Sequence, residues 1–212
     1  MISADEALAR LMDGNRRFAT GASRGGILSL SKTERRSDLA EGQEPFAVVL
    51  GCSDSRVPVE VIFDREPGEL FVVRVAGNIV TPVTVGTVEF ALESFNTSLV
   101  VVLGHTRCGA VGATVDWLMD SAAPTSPSLT AIVEAIRPAV EATPGRPGRS
   151  PTTESRTRDR IVAGAVRANA HAMVRRLYES SEILRERVDN GSVRVVAAVY
   201  SLEHGTVEGL DA

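Results

Sequence analysis

The sequence predicts an α/β fold: a mainly parallel central β-sheet flanked by helices, with a helical arm at the N-terminus. Three observations predict it. Four segments are runs of consecutive apolar residues, helix-like segments lie between them, and two of the runs end directly at a glycine. A continuous apolar run suits a parallel strand covered on both faces, whereas a half-exposed strand would alternate. Strands that alternate with helices build a parallel sheet by crossover connections.

In chain order, residues 3–20 show helical spacing. Leu8, Leu11, Met12, Asn15 and Phe18 recur at three- and four-residue steps, Ser3 suits the N-cap, and Gly21 and Gly25-Gly26 end the segment. A second helix is expected over 32–41, between Ser31 and Gly42. Residues 1–42 thus form the arm. Neither helix carries much apolar surface, so each must dock on the body of the protein or on another subunit. The apolar runs are Phe46 to Leu50, Leu70 to Val73, Ser98 to Leu103 and Val193 to Tyr200. Helices are expected over 84–95, 108–119, 128–142 and 157–188. Residues 143–156 are rich in Pro, Gly and Arg and read as a loop insertion. Too little chain follows them for a second core, so 1–212 is expected to be a single domain.

Bulk properties narrow the function. The chain has 212 residues, 43% hydrophobic and 24% charged, and a net charge of −4, which is ordinary globular composition. That acidic balance argues against nucleic acid as a partner. No apolar run approaches the roughly 20 residues of a membrane helix, and the first residues lack the basic and apolar regions of a signal peptide. A cytoplasmic, membrane-free protein is expected. In a reducing compartment two cysteines point to metal or catalysis more than to a disulfide.

Ligands of open α/β sheets bind beyond the carboxyl ends of the strands. There the first run continues as Gly51-Cys52-Ser53-Asp54-Ser55-Arg56, and the third as Gly104-His105-Thr106-Arg107-Cys108-Gly109. If the two strands are neighbours, Cys52, His105 and Cys108 converge. Two thiolates and an imidazole suit Zn2+, and three protein ligands leave the fourth position open, as in catalytic rather than structural sites. If the segment after Cys52 is extended, Asp54 and Arg56 share its face. A carboxylate there can orient a reacting water, and the guanidinium keeps it ionised and aimed. Gly109 opens a helix, whose free N–H groups favour an anion.

Other residues carry plainer readings. His171 reads as a surface or packing residue, His204 as a turn residue and Trp117 as core. Arg107 either steers anions or pairs with a carboxylate. Cys52 does not fit a Cys-x5-Arg phosphatase loop, because Pro58 stands where Arg is needed. The glycines of 104–112 lack the Lys-Ser/Thr of a P-loop.

The two strand-end segments resemble the signature segments of β-class carbonic anhydrases. Pro67-Gly68-Glu69-Leu70-Phe71-Val72-Val73-Arg74, Ala76-Gly77-Asn78 and Gly14-Asn15-Arg16-Arg17-Phe18 also resemble that family. The likeness covers most of the chain and is weakest over 120–156. It implies reversible hydration of carbon dioxide to bicarbonate, with zinc on Cys52, His105 and Cys108. It implies Asp54 and Arg56 as a catalytic dyad and the Gly109 N–H as a substrate contact. Gln43 matches a glutamine that binds substrate across a subunit interface, which implies a homodimer or larger homo-oligomer, with the N-terminal helix wrapping the partner. Val57, Arg74 and Tyr200 match a regulatory bicarbonate site, although Val49 replaces the Trp that such members often carry. The same architecture would also suit hydrolysis of carbonyl sulfide or carbon disulfide, or a non-catalytic zinc protein.

Overall fold

The computed structural model describes residues 2–120, 124–144 and 155–210. Its sheet has the strand order β2-β1-β3-β4-β5. Strands β1 (Ala47–Gly51), β2 (Leu70–Arg74), β3 (Leu99–His105) and β4 (Arg194–Tyr200) are the four apolar runs, all parallel. The fifth, β5 (Val207–Leu210), was not foreseen; it is short, and it pairs antiparallel with β4 across a turn.

The apolar runs are continuous because both faces of the sheet are covered. Alternate residues supply two separate cores. Val48, Leu50, Val100 and Val102 face one, and Ala47, Val49, Leu99, Val101 and Leu103 face the other. The first core is thick. It takes in α4 (Pro82–Phe95), α5 (Gly109–Asp120), α6 (Pro127–Glu141), α7 (Ser155–Ser180) and α8 (Glu182–Asp189). The second is thin, covered by α1 (Ala4–Ala19) and the four-residue α3 (Val59–Ile62). Each buried Val, Leu or Ile contributes about 1.5–3 kcal/mol, so the thick face carries most of the hydrophobic stabilisation.

The expected helix over 157–188 is two helices. Ser181 is extended, and its Oγ takes the Leu184 N–H at 3.0 Å while donating to Glu89 Oε1 at 2.6 Å, so it ends α7 and caps α8. Trp117, expected in the core, is half-buried. Of the expected loop over 143–156, residues 145–154 lie outside the described residues.

Helix α1 docks on its own chain, burying Ala7, Leu11, Gly14 and Asn15. Ser98 Oγ donates to the Ile2 carbonyl at 2.9 Å. Helix α2 (Thr33–Glu41) buries no residue. The contact between α1 and α3 is close enough that a Cβ at Gly14 would collide with the Phe63 carbonyl oxygen. Backbone cannot give way as a side-chain tip does, so Gly14→Ala is expected to lower stability by about 1–3 kcal/mol, read as a lower urea midpoint.

Candidate functional site

The strands position the site directly. β1 and β3 are neighbours, with Gly51 opposite Leu103, so Cys52 emerges beside His105, the last residue of β3. The chain then turns back through Thr106 and Arg107. Arg107 has φ +53°, in the left-handed region, and this reversal brings Cys108 round as the residue before α5. The ligand atoms of Cys52, His105 and Cys108 all lie within 4.8 Å of one another, and all three residues are buried.

The donor set fits a metal. His105 Nδ1 lies 2.9 Å from the Thr106 carbonyl; a carbonyl can only accept, so Nδ1 carries the proton and Nε2 keeps its lone pair. Nε2 is buried with no hydrogen-bond partner. A buried polar atom without a partner is costly, and a cation between it and the two sulfurs removes the cost. The neighbouring Cys108 thiol holds the Cys52 thiol far below its ordinary range, at about 4, against its own burial. The same contact, with burial, pushes Cys108 up. A dication in place of the remaining thiol proton would leave both as thiolates. Backbone amides already point at these sulfurs: Gly77 N–H reaches Cys52 Sγ at 3.3 Å, and the Ala110 and Val111 amides, at the start of α5, face Cys108.

Asp54 and Arg56 meet, but by another route than the extended segment expected. The chain turns after Asp54, whose carbonyl takes the Val57 N–H at 3.0 Å and whose Oδ1 takes the Arg56 N–H at 3.0 Å. This local side-chain bond favours a turn over a strand. Arg56 folds back and grips the carboxylate with both prongs, Nε to Oδ1 at 2.9 Å and Nη2 to Oδ2 at 2.6 Å. The Arg56 fork holds the Asp54 carboxyl well below the usual carboxylate range. Asp54 Oδ2 lies 3.9 Å from His105 Nε2, so the carboxylate stands at the edge of the ligand cluster. Arg56 Nη2 also donates to the Arg107 carbonyl at 3.2 Å. A cleft of roughly 690 Å³ opens beside Cys108 and Gly109, lined also by Asp116, Arg158 and Glu203.

Gly109 is the first residue of α5 and is exposed. Gln43 precedes β1, about 16 Å of strand away from Cys52, at the opposite end of the sheet; within one chain it does not join the cluster. Val57 and Tyr200 are buried in the thin core. Arg74 donates to the carbonyls of Cys52 at 2.8 Å and Asp54 at 2.5 Å, tying down the loop between β1 and the dyad. Arg107 pairs with Glu203 at 2.5 Å. His204 is exposed in a turn and His171 half-buried.

Sequence reasoning gave no role to Gly77, whose N–H meets Cys52, or to Asn169, which bonds the Gly77 carbonyl. One signal was available for Asn169: it interrupts the apolar stripe Val162, Ala165, Val166, Met173 of α7, a place for burial rather than solvent.

Residues 47–207 match the family described as carbonic anhydrase. Carbonic anhydrase 2 of Mycobacterium tuberculosis is 36% identical over 195 residues, covering 92% of this chain and 87% of its own. Among solved structures, the β-carbonic anhydrase of Coccomyxa, determined with acetazolamide, is 25% identical with a TM-score of 0.70, covering 96% of this chain and 86% of its own. A structure from work on two tetrameric β-carbonic anhydrases of Sordaria macrospora shares the fold at 21% identity, TM-score 0.69 and 98% coverage of both chains.

Proposed function

This chain belongs to the β-carbonic anhydrase family, and from that premise we propose that it interconverts carbon dioxide and bicarbonate with Zn2+ held by Cys52, His105 and Cys108. The observation that carries the metal assignment is His105 Nε2, buried, without a hydrogen-bond partner, in a cluster whose other two members are thiols. Zinc, when bound, supplies a Lewis acid that makes water a nucleophile near neutral pH.

The chain's own residues do the rest. Asp54, kept ionised by the Arg56 fork, has no proton to give at neutral pH. It accepts a hydrogen bond at Oδ2 from the attacking water, which leaves the water's remaining lone pair aimed at the carbon of carbon dioxide. Arg56 fixes the carboxylate, and the Arg107 carbonyl fixes Arg56 in turn. The α5 N-terminus, through the Gly109 N–H, favours the anionic product. One carbon dioxide and one water thus give bicarbonate and a proton.

The same reading makes the active unit a homodimer or larger, in which Gln43 of one chain serves the site of another. Its place at the far end of β1 supports this, as do the unburied α2 and the exposed Val83 and Phe90 of α4. The tetrameric relatives share the fold. Regulatory bicarbonate at Val57, Arg74 and Tyr200 would have to compete with the bonds from Arg74 to the Cys52 and Asp54 carbonyls. No helix among the described residues is long and apolar enough to cross a membrane; a cytoplasmic, single-domain enzyme without nucleic-acid partners completes the proposal.

Stopped-flow hydration of carbon dioxide on protein of measured zinc content tests it. Fast turnover with about one zinc per chain is the expected result. Full zinc with turnover of carbonyl sulfide or carbon disulfide instead would move the substrate assignment, and full zinc with no turnover of any of them would overturn the catalytic reading.

A further inference from the structure

We propose that Asn169 is a positioning residue for the metal centre, acting through Gly77 to fix the backbone N–H that donates to Cys52 Sγ. The inference rests on the reading of Cys52 as a metal ligand. Asn169 sits in the middle of α7 and is 1% exposed. Its Nδ2 donates to the Gly77 carbonyl at 2.9 Å, while its Oδ1 is buried with no partner. An apolar side chain would satisfy the packing there and leave no orphan oxygen. The bond to Gly77 is therefore what the amide contributes.

Gly77 needs such an anchor. Its φ is +70°, a conformation that strains any side chain, and a Cβ on it would stand 2.7 Å from Ile136 Cδ1, so glycine is favoured there. Glycine has no side chain to hold its backbone, and its torsions are soft. Here that backbone has two tasks. The carbonyl faces Asn169 on α7, and the N–H faces Cys52 Sγ at 3.3 Å. Fixing the carbonyl restrains the N–H, because a single α-carbon joins the two peptide planes. The N–H···S bond in turn orients the sulfur and moderates its charge. Partners one step out from a metal act in this way, and their loss weakens metal binding about 10- to 100-fold.

The test compares Asn169→Leu with Asn15→Leu in the full chain. Asn15 is also buried, and it bonds the Ile62 and Gly205 carbonyls and the Val207 N–H, none of them at the metal centre. Zinc affinity is read by competition with a chelator. Cobalt(II), in place of zinc, gives a near-ultraviolet band from thiolate-to-metal charge transfer, which reports the sulfur's environment. Asn169→Leu is expected to weaken zinc by up to about 10-fold, at or below the low end of what a ligand's direct partner contributes, and to shift the band. Asn15→Leu should lower the melting temperature and leave both metal readouts where they were. A change in melting temperature alone for Asn169→Leu would overturn the proposal, as would equal metal effects in both variants. Asn169→Ser, shorter and unable to reach Gly77, carries the same readouts if the leucine variant does not fold. A wild-type protein without the charge-transfer band would overturn the metal-centre reading itself, and the inference with it.

Discussion

Turnover of the Asp54→Ala variant is expected to fall about 10²- to 10⁴-fold with the zinc content unchanged. The size follows from what the side chain does and does not touch. Asp54 is not among the three buried ligand residues; its Oδ2 stands 3.9 Å from His105 Nε2, close enough to contact a water held by the cluster. Its other bonds go to Arg56. Removing it therefore leaves the metal in place and takes away the acceptor that orients the nucleophile. Arg56→Lys makes a graded companion: an ammonium keeps the charge but cannot hold both carboxylate oxygens in one plane, so a smaller loss is expected. Stopped-flow rates and metal analysis on the same samples decide the matter, and a rate within error of wild type in Asp54→Ala would sink the dyad assignment.

A still larger loss is expected from His105→Ala. The imidazole is fully buried and is held in one tautomer by the Thr106 carbonyl. Its removal leaves two thiols and a cavity where a nitrogen donor stood. Losing a ligand should cost more than the roughly 10- to 100-fold in affinity that an outer partner costs. After dialysis against a chelator the variant should hold a minor fraction of the wild-type zinc, and turnover should drop to background. Free imidazole added to the variant is expected to restore part of both. Retention of full zinc through that dialysis would show that His105 is not a ligand.

Much of this site was legible in the sequence because the fold does little to hide it. A glycine after an apolar run marks a strand end, and chemistry in such folds collects there; Cys52, His105 and Cys108 follow from that rule. What escaped was decided by packing or by local turns. The dyad forms through a turn because the Asp54 side chain captures the Arg56 N–H, which an alternation argument does not anticipate. Ser181 splits the long helix because its hydroxyl serves two partners at once, one of them Glu89, far away in the chain. Asn169 acquires its meaning from Gly77, and no spacing rule connects residues 92 positions apart. The N-terminal helix carries little apolar surface and must dock; which surface it docks on was not legible, because that depends on the close approach that Ala7 and Gly14 permit beside Leu11.

The unequal covering of the two sheet faces has a bearing on how the molecule fluctuates. Regions with few apolar contacts open most often in the native state, without global unfolding. Here that region is α1 and α3, on the thin side. Cys52 and Cys108 belong to the thick core, and the anchor at Asn169 comes from α7 on that same side. Excursions of the N-terminal helix are thus absorbed by one layer while the two thiols are held by the other, so the sulfur side of the site is insulated from them.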